Sequence, residues 1–137
     1  MIRKDTAKSL VSILIELKTS LNYLNHGSMK DKESNFYLVY NGTLYIYDIC
    51  QYLRRSIYNY LAIDFLAFSI LSMECHLNLI TWKFLDWRVK LYIEMSRIYE
   101  EMGCLISAEK IITRGCTKIN EVKEFEELDS PIPKHIS

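Results

Sequence analysis

The sequence is poor in the residues that break regular structure, with four glycines and two prolines among its 137 residues. Tight turns and bulges are built mainly from these two residue types, so a fold of many short strands is a poor fit. The same scarcity leaves no Gly-rich loop of the GxxxxGK[ST] or GxGxxG kind to cradle a phosphate. Surplus charge is missing too: 17 basic and 17 acidic residues cancel. Nucleic-acid binding draws on clustered positive charge, and Arg54-Arg55 and Arg88 with Lys90 are isolated spots, so no nucleic-acid partner is expected. Neutrality also removes self-repulsion and mildly favours association. Nor is there a long uninterrupted apolar run. The most apolar stretch, Ile57 to Ile80, carries Asp64, Glu74 and His76. A spanning helix needs about 20 apolar residues with few or no charges, so a buried core helix and no membrane partner are expected. The four cysteines, at 50, 75, 104 and 116, form no CxxC pair, and Met1-Ile2-Arg3-Lys4-Asp5 does not open a secretory signal. Free thiols in a reducing compartment are the expectation, and there the acceptor-like triplet Asn41-Gly42-Thr43 goes unused.

What is present is apolar periodicity. Half of the residues are hydrophobic and a quarter are charged, the balance of one globular domain. Leu10, Ile13, Leu14, Leu17, Leu21 and Leu24 trace one stripe of a helix from about Asp5 to Asn25. Asp5 or Thr6 is suited to cap its start and Gly27 to end it in a left-handed turn. The polar run His26 to Ser34 reads as a loop. Residues 36–60 allow two readings. Asn41-Gly42 between Phe36–Tyr40 and Thr43–Tyr47 is a hairpin signal. The run continues without a breaker through Ile49, Cys50, Tyr52 and Leu53, however, and Leu38, Tyr45, Ile49, Tyr52 and Leu53 fit a helical face with Gly42 at a close approach. The helical reading is adopted because the segments after residue 60 are helical in pattern too. Leu61, Phe65, Phe68, Leu71, Ser72, Cys75 and Leu79 mark the next helix, and Thr81–Phe84 a junction. Leu91, Met95, Ile98 and Met102, preceded by Trp87 or Arg88, mark a helix that ends at Gly103. A last helix, Leu105–Leu128, carries Ala108, Ile111, Ile112, Ile119, Val122 and Phe125. Pro131 and Pro133 then enforce an extended tail over 129–137.

The last two helices share the spacing of a tetratricopeptide-type hairpin. That pattern places a small residue and a tyrosine in the first helix, glycine at the turn, and alanine, a large apolar residue and a small residue in the second. Ser96, Tyr99, Gly103, Ala108, Ile112 and Gly115 fall at those positions, with Tyr92 on the neighbouring row, and Asn120 stands where the repeat has its closing proline. Small residues let antiparallel helices approach while a tyrosine fills the wedge. The expected fold is all-α: an irregular α-solenoid of antiparallel helical hairpins over 1–128, in which neighbouring units complete each other's core.

The segment Phe36-Tyr37-Leu38-Val39-Tyr40-Asn41-Gly42, followed by Tyr45 and Ile49-Cys50, resembles the N-terminal region of the cilia- and flagella-associated protein 54 family. Ser69–Glu74, Trp82–Tyr92 and Lys118–Val122 are similar to it as well, so the likeness covers about Phe36 to Leu128, and a sister family of axonemal scaffolds stays open. The resemblance implies a segment of a very large helical-repeat scaffold in the axonemal central apparatus, supporting assembly and motility of cilia and flagella. It also implies other axonemal scaffold proteins as partners, with microtubules contacted indirectly, and a fragment, short isoform or truncated product as the origin of so small a chain.

Catalytic and metal chemistry find little to work with. Structural zinc sites present ligands in close pairs, and Cys75-His76, side by side on a helix, point about 100° apart. No base signature surrounds any cysteine, and Glu100-Glu101 and Glu126-Glu127 read as solvated faces. No cofactor, no metal, no small-molecule substrate and no enzymatic activity are expected. Tyrosine is more informative, because seven of the ten lie between Tyr37 and Tyr60. Tyrosine suits both interfaces and inter-helix cores. As an interface, the patch is Tyr37, Tyr40, Tyr45, Tyr47, Tyr52 and Tyr58 with Arg54 and Arg55. Two functions are compatible with these features. One is a structural scaffold whose ends require neighbouring repeats. The other is a free-standing cytoplasmic adaptor, which requires a concave groove of convergent Asn, Lys and Arg side chains.

Overall fold

The computed structural model describes residues 3–76 and 84–129, without the side chains of 29–33, 76 and 125–129. Five helices succeed one another: α1 (Lys4–Asn25), α2 (Met29–Arg54), α3 (Tyr60–His76), α4 (Leu85–Glu101) and α5 (Leu105–Asp129), with no strand among the described residues. Each packs on the next, and α1 also packs on α3. Contacts run in step for alternate helices, Lys18 with Phe68 and Asn25 with Ser72, Thr43 with Trp87 and Arg54 with Glu101, and in opposite order for the neighbours α4 and α5, Ser96 with Ala108 and Tyr92 with Gly115. The chain therefore runs up and down through the stack.

One apolar core crosses the first four helices. It joins Leu14 and Leu21 of α1, Val39, Ile46 and Leu53 of α2, Leu66 and Met73 of α3, and Leu91 and Ile98 of α4. Residues 36–54 are helix throughout, so the Asn-Gly pair makes no hairpin. Gly42 is buried, and a Cβ there would lie 2.7 Å from Leu21 Cδ2. Its missing side chain is what lets α1 close on α2.

Several expectations are corrected. Residues 29–34 are helical, so the loop reduces to 26–28, since a charged first turn looks like a loop in sequence. Arg3 is the N-cap of α1 without a side-chain cap, and among the described glycines only Gly103 has positive φ, so Gly27 makes no left-handed stop. Ile13 is half exposed while Ala7 is buried. On α3 the expected stripe is one face of a helix buried on several. Leu71 and Cys75 point outward, whereas Ala62, Leu66, Ile70 and Met73 are buried. A helix clasped by α1, α2 and α4 has no single apolar face for periodicity to find. Leu79, Thr81, Trp82, Lys83 and the tail 130–137, with Pro131, Pro133 and His135, lie outside the described residues, as does the Phe125 side chain.

Candidate functional site

The α4–α5 turn is built by one glycine. Gly103 takes φ +80°, its N–H donates to the Glu100 carbonyl (2.9 Å), and the Cys104 N–H donates to the Tyr99 carbonyl (2.8 Å). This is the Schellman pattern, which satisfies the last carbonyls of α4 and sends the chain back. Behind the turn, buried Ser96 donates its hydroxyl to the Ala108 carbonyl at 3.3 Å, and Ala108 is itself buried. Tyr99 is half-buried against the core. Gly115 is buried under Tyr92, and a Cβ on it would lie 3.2 Å from Tyr92 Cγ. Ile112 departs from the expected hairpin packing, being 40% exposed while Ile111 turns towards the core. Adjacent residues on a helix point 100° apart, and the helix is rotated to favour the first of the two.

Beneath Gly115 lies a polar cluster that sequence spacing did not indicate. The Tyr92 hydroxyl donates to Glu74 Oε1, and Arg88 and Arg114 each bring a guanidinium nitrogen to 3.7 Å from a Glu74 oxygen. Burial, reinforced by the Glu74 carboxylate, pushes the Tyr92 phenol up to about 12. Arg88 is 4% exposed, and its Nε has no acceptor among the described residues. One carboxylate thus serves two cations from α4 and α5. The cluster ties three helices through one carboxylate.

The tyrosines separate into two sets. Tyr40 and Tyr47 face α4. The Tyr40 ring lies 4.4 Å from Phe84 and 6.2 Å from Trp87, and Tyr47 lies 5.1 Å from Trp87. Trp87 Nε1 donates to Thr43 Oγ1 (3.0 Å), whose hydroxyl donates to the Tyr40 carbonyl (2.7 Å). Lys90 sits over the Tyr47 ring at 5.0 Å, and Tyr58 is half-buried against the core. Phe84 holds φ 58°, a left-handed conformation unfavourable by about 1–2 kcal/mol for a residue with a Cβ. Its ring is packed between Phe36 and Tyr40, which offsets that strain. For Tyr40, Tyr47 and Tyr58 the structure therefore favours core over interface. Tyr45 and Tyr52, each 63% exposed, lie on the opposite face of α2, while Tyr37, 66% exposed, keeps its ring edge-on to Phe84 at 6.4 Å.

The two arginines diverge as well. Arg54 is an internal clamp. Its Nη1 donates to Glu94 (2.7 Å), and its Nε and Nη2 donate to Glu101 at 3.1 and 2.8 Å. This is a correction to its expected place at an interface, and its reason is the 2% exposure of Glu94, a carboxylate that needs a cation in reach. Arg55 points to solvent. Burial, with Glu94 nearby, pushes the Cys50 thiol up to about 12, while Cys75, Cys104 and Cys116 are exposed. Among the described residues no three His, Cys, Asp or Glu side chains gather as a metal set, and no helix is long and apolar enough to cross a membrane. A shallow groove carries Lys110, Arg114 and Lys118, but all of its walls come from α5, so no second element converges on it.

Taken together, these features define an all-helical packing module, whose buried polar groups clamp helices and whose free aromatic side chains face outward. The family model of cilia- and flagella-associated protein 54 matches residues 2–136, and the chain belongs to that family. The mouse protein of that name is 31% identical over 94 residues, which are 69% of this chain and 3% of the mouse protein. The human protein is 29% identical over the same share of each, and the Chlamydomonas reinhardtii protein is 27% identical over 94% of this chain and 4% of its own length. The chain thus spans a few hundredths of the relatives it matches.

Proposed function

We propose that this chain is a structural module of the ciliary or flagellar axoneme, a segment of central-apparatus scaffold that supports assembly and motility through contacts with other axonemal proteins, with microtubules engaged only through them. The observation that carries the reading is the outward pair Tyr45 and Tyr52 on a helix whose other sides are held by α1 and α3 and, through Thr43, Tyr47 and Arg54, by α4. Exposed aromatic side chains on a rigid helix are suited to contacts with large partners, because they bring contact area at little entropic cost. The family membership supplies the cellular setting. The up-and-down order, with small residues at Ala108 and Gly115 where helices approach, supports an irregular tetratricopeptide-like solenoid. The buried polar groups act in this reading as clamps and catalyse nothing.

The alternative of a free-standing peptide adaptor needs a concave groove of convergent Asn, Lys and Arg side chains. The groove on α5 has one helix for all its walls and mixes Glu109 and Glu121 with its cations. The small hollow between α3, α4 and α5 is mostly apolar, with Arg114 as its one cation. The test is expression of the tagged chain in a motile, ciliated cell, followed by detergent extraction of isolated cilia. The chain is expected in the insoluble axonemal fraction, with retention lowered by Tyr45→Ala/Tyr52→Ala at unchanged helicity. Full release with the soluble matrix contradicts the reading.

A further inference from the structure

The outward face of α2 has a regular order. Leu38, Tyr45 and Tyr52 recur every seven residues, and Asn41, Asp48 and Arg55 recur at the same interval between them. The resulting 3–4 alternation keeps the five from Leu38 to Tyr52 on one face of α2, as in helices that pack along each other, and Arg55 follows just past the last helical residue, Arg54. Leu38 is 57% exposed and the two tyrosines 63%, while the three polar residues are also exposed. Among the described residues Asp48 and Arg55 have no ion-pair partner, and Asn41 makes no side-chain hydrogen bond. From Leu38 to Tyr52 the row runs for about 21 Å at 1.5 Å per residue.

We propose that this face binds a second copy of the chain, with the two α2 helices antiparallel and the two-fold axis passing beside Tyr45. The pattern is self-complementary in this register. Tyr45 meets its own copy at the axis, Leu38 lies opposite Tyr52 of the partner subunit, and Tyr52 lies opposite the partner's Leu38. Asn41 comes beside the partner's Asp48, so that an amide donates to a carboxylate on each side of the axis. A two-fold interface requires such reciprocity, in which residue i meets j and j meets i. A parallel arrangement instead stacks Asp48 on Asp48, and like charges so placed repel. The zero net charge of the chain adds no general repulsion. A single helix face buries little area, so the dimer is a weak one in exchange with monomer. The proposal rests on the reading of the outward row as a contact face and deepens it by naming the partner, a second copy of this chain; its test on the purified chain is separate from that of the axonemal setting.

The experiment is sedimentation of the 137-residue chain from about 1 to 500 μM, the range in which a small interface associates. A reversible monomer–dimer equilibrium is expected. Tyr45→Asp brings two carboxylates to the axis and weakens the dimer by about a hundredfold or more. Asn41→Asp sets a carboxylate against the partner's Asp48 on both sides and weakens it by about tenfold. The swap Asn41→Asp/Asp48→Asn restores each pair with its members exchanged, and with it the original affinity. All of these positions are exposed, and circular dichroism checks that the helices are kept. A chain that stays monomeric across the range overturns the proposal. So does a dimer indifferent to Tyr45→Asp, which points to another exposed apolar surface such as Leu105 and Ile106 of α5. A swap variant that fails to recover overturns the antiparallel register.

Discussion

Tyr40 and Tyr47 lie against Phe84 and Trp87 with ring centroids 4.4 and 5.1 Å apart, whereas Tyr45 and Tyr52, on the same helix, leave 63% of their surface to solvent. Arg54 and Arg55 repeat the contrast at neighbouring positions, the first reaching two glutamates on α4 and the second reaching none. The same residue types thus do opposite work according to the side of α2 on which they fall. The inward side determines how α2 sits on α4. The outward side contributes little to folding and is free for contacts. Composition cannot separate the two, because both draw on one tyrosine-rich segment.

The comparison is broken most strongly at the arginine pair. Arg54→Ala leaves the nearly buried Glu94 without its cation and is expected to cost about 3 kcal/mol in chemical denaturation. Arg55→Ala is expected to stay within about 0.5 kcal/mol, and the exposed partner substitution Glu101→Ala within about 1 kcal/mol. A loss for Arg55→Ala equal to that for Arg54→Ala removes the distinction. Next comes the packing on the other side of α4. Gly115→Leu drives a side chain into Tyr92, and melting is expected to show a loss of about 2 kcal/mol. Unchanged helicity and melting temperature contradict the close approach. A smaller effect sharpens the contrast through Thr43. Thr43→Val removes the acceptor of the Trp87 N–H at little change in shape, and about 1 kcal/mol is expected from the orphaned donor. The least perturbing probe is chemical. Iodoacetamide at neutral pH is expected to label Cys75, Cys104 and Cys116 quickly, and Cys50 only as the chain unfolds.

Much of the fold was legible because local signals agreed with one another. The α1 stripe, the stop at Gly103 and the long α5 are consequences of periodicity and one left-handed glycine. Gly42 was legible only as a choice between a hairpin turn and a close approach, and the helical pattern of the segments after residue 60 tipped it to the second. Four things stayed hidden. The charged start of α2 has no apolar rhythm to distinguish it from a loop. The burial of α3 on several sides erased its stripe. The partners of Arg54 lie 40 and 47 residues away, and those of Tyr92 and Arg88 on another helix, so their roles depend on packing that no spacing along the chain encodes. The split among the tyrosines was hidden for the same reason, since the helix that separates them into faces had first to be established.

The two tyrosine sets are the point at which a packing side and a contact side of α2 either separate physically or do not. The direct measurement is urea unfolding of Tyr40→Ala/Tyr47→Ala beside Tyr45→Ala/Tyr52→Ala. The inward pair gives up ring packing against Phe84 and Trp87 and is expected to lose about 3–4 kcal/mol together. The outward pair is expected to lose less than about 1 kcal/mol in sum. Equal losses in the two variants contradict the division of α2 into a packing side and a contact side.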